Sequence, residues 1–90
     1  MKSDAGENEL LERAGALAVL AFFADRPQGT PMEVAAATAL PLQTARRRLR
    51  DLQAGGYLWA ERTKTFPPKR HYRIVPNAAQ SARSAATLLR

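Results

Sequence analysis

Residues 30–58 read TPMEVAAATALPLQTARRRLRDLQAGGYL, and the caps, breaks and apolar stripes in this stretch decide the fold. Thr30 is followed by Pro31 and, three residues on, by Glu33. A threonine can cap a helix, and a proline suits its first position. A glutamate three residues after the cap can return a hydrogen bond to it. A helix is therefore expected from this cap to about Ala39, with Val34 and Ala35 turned inward. Leu40-Pro41-Leu42 interrupts it, because Pro41 disfavours helical geometry at Leu40. The next helix starts near Leu42 or Gln43. Its Ala45, Leu49 and Leu52 stand at i, i+4 and i+7, which makes one buried stripe. Gly55-Gly56 ends it.

Downstream, residues 57–64 and 71–75 are rich in aromatic and β-branched side chains and read as two strands. The loop between them, residues 65–70, holds Pro67 and Pro68, which forbid a regular ladder there. Pro76-Asn77 closes the second strand, and Asn77 can cap a last helix over residues 78–89. That helix carries Ala78, Ala82, Ala85 and Leu89 on one stripe. Upstream, residues 1–6 form a polar, disordered tail, and a first helix runs from Glu7 to Ala24. Glu7, Glu9 and Glu12 lie early in it, where the helix dipole favours acids. Its segment AGALAVLAFFA, residues 14–24, is apolar on every face, so more than one surface must cover it. Arg26-Pro27-Gln28-Gly29 ends this helix. The expected class is mainly α with a β-hairpin, in the order α-α-α-β-β-α. Residues 7–76 form the domain and residues 77–90 a C-terminal helix.

Charge narrows the function. Residues 1–25 carry two bases against five acids, a net −3, and residues 26–90 carry twelve against three, a net +9. A basic region of this size attracts polyanions. Arginine outnumbers lysine by 11 to 3. Cysteine is absent, which excludes disulfides, thiolate chemistry and cysteine-based metal sites. With one histidine, no histidine-rich metal site can form. No nucleophile–base pair or phosphate loop can be named, so an enzyme is the weakest reading and no cofactor or metal is expected. No apolar run reaches the roughly 20 residues that span a bilayer. The polar, acidic segment from Ser3 to Glu9 is not a secretory signal. The expected placement is the cytoplasm, in association with the nucleoid.

The stretch from Thr30 to Val75 resembles the winged helix-turn-helix DNA-binding superfamily, in particular small bacterial regulators of the MarR, ArsR and IclR kind. The resemblance rests on Glu33-Val34-Ala35, Leu40, Thr44, Arg47, Leu49 and Leu52. It continues through the exit from Leu52 to Gly56-Tyr57-Leu58 and the returning strand RHYRIV with its Tyr72. Two positions depart from the pattern. Ala39 stands where the turn often has glycine, and Pro41 stands where the second helix often has a polar cap. The resemblance implies a recognition helix, a hairpin wing and a double-stranded DNA partner.

The residue reading agrees. With Ala45, Leu49 and Leu52 inward, Gln43, Thr44, Arg46, Arg47 and Arg50 point away or sideways. A helix fits the major groove, where arginine reads guanine and glutamine reads adenine by paired hydrogen bonds. Gln43, Arg46 and Arg47 are the candidates for base edges; Thr44 and Arg50 are candidates for phosphate. Lys64, Lys69 and Arg70 flank the wing tip and can meet phosphates or an adjacent minor groove. Arg48 borders the buried stripe and can pack its stem or pair with an acid. His71 is read as a backbone or phosphate contact at most. Trp59 faces solvent if Leu58 faces in, or is half-buried. Phe66 has three readings: folded back on the wing, which is favoured, in contact with DNA sugars, or in contact with a protein partner.

The first and last helices carry more apolar surface than one small core needs. A homodimer interface is therefore expected at Leu17, Leu20, Ala82, Ala85 and Leu89. The leading reading is a dimeric DNA-binding regulator, a repressor acting by occupancy. The alternatives are a winged helix used for protein–protein contact and a nucleic-acid binder without sequence preference, architectural or replicative.

Overall fold

Thr30 caps its helix as the sequence requires. The computed structural model, which describes residues 15–64 and 66–89, places helix α2 at Pro31–Thr38. The Thr30 amide donates to Glu33 Oε1 at 2.8 Å, and the Glu33 amide donates to Thr30 Oγ1 at 3.2 Å. Helix α3 follows at Leu42–Ala54 after a three-residue turn. In that turn Ala39 adopts the left-handed conformation, with φ 59° and ψ 28°. Pro41 occupies the N-cap of α3 and supplies no side-chain cap.

The far end of α3 closes in the way a double glycine allows. Gly56 has φ 87°. Its amide donates to the Gln53 carbonyl at 3.1 Å, while the Tyr57 amide donates to the Leu52 carbonyl at 2.9 Å. This nested pair is the Schellman arrangement, and it turns the chain directly into the sheet. Strands β2 (Leu58–Arg62) and β3 (Arg70–Ile74) pair antiparallel, from Leu58 opposite Ile74 to Arg62 opposite Arg70. A two-residue strand β1, Gln28–Gly29, adds to the other side of β3, giving the order β1-β3-β2. This strand is not among the sequence expectations, because two residues carry no period. Both wing strands are shorter than or offset from the expected ranges 57–64 and 71–75.

Helix α1 is described over Ala16–Phe22. Gly15 precedes it with φ 84°, and a Cβ there would lie 2.7 Å from Leu40 Cδ1. Of the expected helix from Glu7 to Ala24, the described part is helical over Ala16–Phe22, with Gly15 at its N-cap and Phe23 at its C-cap. The acids Glu7, Glu9 and Glu12, and the tail at 1–6, lie outside the described residues. Phe22 and Phe23 meet edge to face at 5.0 Å, and the Arg26 guanidinium sits 5.2 Å from the Phe22 ring centroid. After a 3₁₀ turn at Pro76–Ala78, α4 (Ala79–Leu88) packs back against α1.

One core unites these elements. Val19, Leu20 and Phe23 of the α1 segment, Val34 of α2, and Ala45, Leu49 and Leu52 of α3 are buried together. Leu58, Tyr72, Ala82 and Ala85 complete the cluster. This corrects part of the expected dimer surface. Leu20, Ala82 and Ala85 are 1%, 0% and 2% exposed within the single chain. The small alanines let α4 approach α1, and that contact uses them up. Leu17 is partly buried against the same core. Leu89, by contrast, is 52% exposed, and its neighbour Leu88 is 73% exposed. Among the described residues no helix is long and apolar enough to cross a membrane.

Candidate nucleic-acid interface

Burying Ala45, Leu49 and Leu52 fixes which residues α3 presents. Gln43, Arg46 and Arg50 follow at i, i+3 and i+7, a single stripe on one flank of the outward face. They line a groove of about 600 Å³ together with Lys69 and Arg70 of the wing. Thr30, Pro31 and Met32 at the start of α2, and Tyr72 of β3, also line the groove. Five of the eight residues expected to contact DNA are thereby brought together. Arg47 is exposed but lies further round α3, outside this groove, and Thr44 is half-buried. Lys64 is exposed on the wing, also outside the groove. The structure thus groups Arg50 with Gln43 and Arg46, rather than with Thr44.

The ion pairs are selective. Arg48 is held by Asp51 on its own helix, at 3.3 Å, which resolves its two readings in favour of an acid partner. Glu61 of β2 takes Arg73 Nε at 3.1 Å and faces His71 Nε2 at 3.7 Å. His71 therefore faces a carboxylate across the sheet, in place of the expected backbone or phosphate contact. Among the described residues, none of Arg46, Arg47, Arg50, Lys64, Lys69 and Arg70 has an acidic partner. The nearby carboxylate of Glu33 is committed to capping α2. The Thr30 hydrogen bonds, backbone first, hold its pKa below the ordinary glutamate value. The groove is thus lined by cations whose charge is not cancelled internally.

The sequence reading missed Arg62. The wing register sets it opposite Arg70. Because side chains alternate along a strand, Arg62 and Arg70 continue the face that carries Ala60 and Tyr72 into the core. Two arginines directly opposed repel each other unless an anion lies between or beside them. Once the register is known, counting by two from Tyr72 finds the pair. Met32, 71% exposed, was also missed. Its signal was its place immediately after the Thr30-Pro31 cap, where the helix begins beside the groove.

Two aromatics are settled by geometry. Trp59 is on the solvent side of the sheet and 52% exposed, as expected if Leu58 faces in. Phe66 is 96% exposed, so the favoured reading of a ring folded back on the wing is wrong.

Solved structures with this architecture cover most of the chain. A transcriptional regulator homologue from Pyrococcus horikoshii OT3 aligns over 99% of this chain and 91% of its own, with a TM-score of 0.75 and 14% identity. The AntR antimony-specific transcriptional repressor aligns over 99% and 81%, with a TM-score of 0.71 and 24% identity. A homodimeric winged helix-turn-helix DNA-binding domain from Mycobacterium bovis, described as a possible ArsR-family transcriptional regulator, aligns over 91% and 72%. Its TM-score is 0.67 and its identity 24%. At these identities the likeness is one of fold. The chain has no match among curated protein sequences. The profile of the IclR helix-turn-helix domain matches residues 11–61, from the first helix through α2 and α3 to the first wing strand. With that match over more than half of its 90 residues, the chain belongs to the IclR helix-turn-helix domain family, in the winged-helix fold of transcriptional regulators.

Proposed function

We propose that this chain is a sequence-specific DNA-binding repressor that lays α3 in the major groove and its wing on the flanking backbone. The observation that carries the reading is the groove lined by Gln43, Arg46 and Arg50 of α3 with Lys69 and Arg70 of the wing. Glutamine and arginine on one outward stripe supply paired hydrogen bonds to adenine and guanine. The wing cations supply phosphate contacts that fix register without reading sequence. Repression follows from occupancy, since a protein seated on a site excludes other proteins from it and needs no chemistry. A homodimer doubles the contact, and the Mycobacterium bovis domain, homodimeric by its description, supports that arrangement.

Selection of duplexes from a random pool at about 150 mM salt tests this, because salt of that order suppresses much of the purely electrostatic binding. An enriched inverted repeat is the expected result. Enrichment of duplexes without a shared motif would instead support the architectural reading. Failure to retain any duplex would turn attention to protein contact through exposed Trp59 and Phe66.

A further inference from the structure

The wing tip carries one large side chain that the groove does not use. The Thr63 amide donates to the Lys69 carbonyl at 2.8 Å, and the Lys69 amide donates to Thr63 Oγ1 at 2.9 Å. These bonds close the loop, leaving Lys64, Phe66, Pro67 and Pro68 beyond them at the tip. Phe66 there is 96% exposed. Pro67 and Pro68 follow it, and each fixes its own φ, so the tip is stiff on that side. An apolar ring presented this way gains free energy only when a partner covers it.

The surrounding charge selects the partner. Lys64 and Lys69 flank the tip, and Arg62 and Arg70 oppose each other just below it. Among the described residues none of these four has an acidic partner. An apolar protein surface closing over Phe66 would have to desolvate these cations. A nucleic-acid groove meets both needs, with phosphate ridges for the cations and stacked base edges between them for the ring.

Position agrees with charge. Arg70 lines the α3 groove, and Phe66 lies beyond it in the tip loop of the same wing, on the side that meets whatever flanks the groove's ligand. We infer that Phe66 is an apolar wedge that enters the minor groove next to the bound half-site and partly unstacks one base step. The inference rests on the DNA-binding reading above. It adds a preference for flexible pyrimidine–purine steps at a position that the protein does not read by hydrogen bonds.

The test uses the full chain and a duplex selected by it, with 2-aminopurine substituted in turn at positions flanking the half-site. Unstacking raises 2-aminopurine fluorescence. The wild-type chain is expected to raise it at one flanking step. Phe66→Ala should abolish that rise and weaken binding roughly five- to thirty-fold, in line with the loss of an inserted or stacked ring. The salt slope should stay unchanged, because no charge is lost. Phe66→Leu should retain most of the rise. So exposed a side chain can be replaced without disturbing the core. Tight binding by the wild type with no fluorescence change at any flanking position overturns the wedge and leaves the DNA-binding reading intact. Unchanged affinity in Phe66→Ala does the same and assigns the ring to a protein partner. If no duplex is bound at all, both readings fall together.

Discussion

Ala39 holds a backbone conformation that costs an L-residue roughly 1–2 kcal/mol relative to the right-handed region. It does so because the turn between α2 and α3 must reverse the chain within three residues while Leu40 packs against the core. Ala39→Gly removes the Cβ conflict but restores unfolded-state freedom worth about 0.4–1 kcal/mol. A net gain of up to about 1.5 kcal/mol is expected in urea denaturation, and a loss would show that the turn tolerates the methyl without strain. Thr30 and Glu33 give a second single-residue test. Thr30→Ala should cost about 1 kcal/mol by removing the cap. Glu33 has a lowered pKa in the folded chain, so its ionised form favours the fold. Its contribution is complete above the ordinary glutamate range and fades as pH falls through the lower folded value. Glu33→Gln should flatten that part of the acid limb of the stability curve. An identical acid limb in the variant would show that the carboxylate is not coupled to folding. These features were legible from the sequence: a cap, a proline and a glutamate at fixed spacing leave little choice of local structure, and the departure at Ala39 was visible as a missing glycine.

Helix α3 and the wing have separable roles in the proposed complex. Arg46 and Arg50 line the groove, whereas Arg47 lies outside it. Arg46→Ala should cost about 1–3 kcal/mol and relax preference at one base pair, while Arg47→Ala should weaken binding to all duplexes more evenly. Duplex selection repeated with each variant distinguishes them, and a specificity change confined to Arg47→Ala would reverse the assignment. Replacing Lys69 and Arg70 together by alanine should lower affinity for every duplex and reduce the salt slope by roughly one for each lost phosphate contact. Lost discrimination at constant slope would place the wing in base readout instead. The stripe Gln43, Arg46 and Arg50 could be read from the sequence because its complement, Ala45, Leu49 and Leu52, was unmistakably apolar. Its partnership with Lys69 and Arg70 could not, since it depends on how the hairpin folds back towards α3. The Arg62–Arg70 pair depends on register, which the proline-containing loop left unspecified. Strand β1 depends wholly on β3 for its hydrogen bonds, and Gln28–Gly29 alone carries no strand signal.

A single chain leaves part of its apolar surface uncovered. The sequence suggests that the terminal helices carry more apolar surface than one core can use, with Leu17, Leu20, Ala82, Ala85 and Leu89 as the surplus. Alanines on α4, however, permit close packing on α1, which buries Ala82 and Ala85 inside the chain. On the described parts of the terminal helices, the large apolar side chains left exposed stand at the end of α4, where Leu88 and Leu89 are 73% and 52% exposed. Adjacent exposed leucines at a helix end are an economical seed for self-association, and two-fold pairing is the commonest way to close it. Such a dimer would set two copies of α3 about 34 Å apart, or a multiple of that, along one face of a duplex. The second copy would then bind at high effective concentration, which explains an inverted repeat as the expected site. Leu89→Asp tests this more cleanly than any change at Leu20, Ala82 or Ala85, because it leaves the single-chain core untouched. It should give folded monomers with sharply weaker DNA binding. Light scattering at micromolar concentration reads the first effect, and a wild-type mass near 9.9 kDa, that of one chain, would rule out the dimer. If the wild type is dimeric and Leu89→Asp leaves it so, the pairing surface lies away from the end of α4, and partly exposed Leu17 on α1 becomes the position to change next.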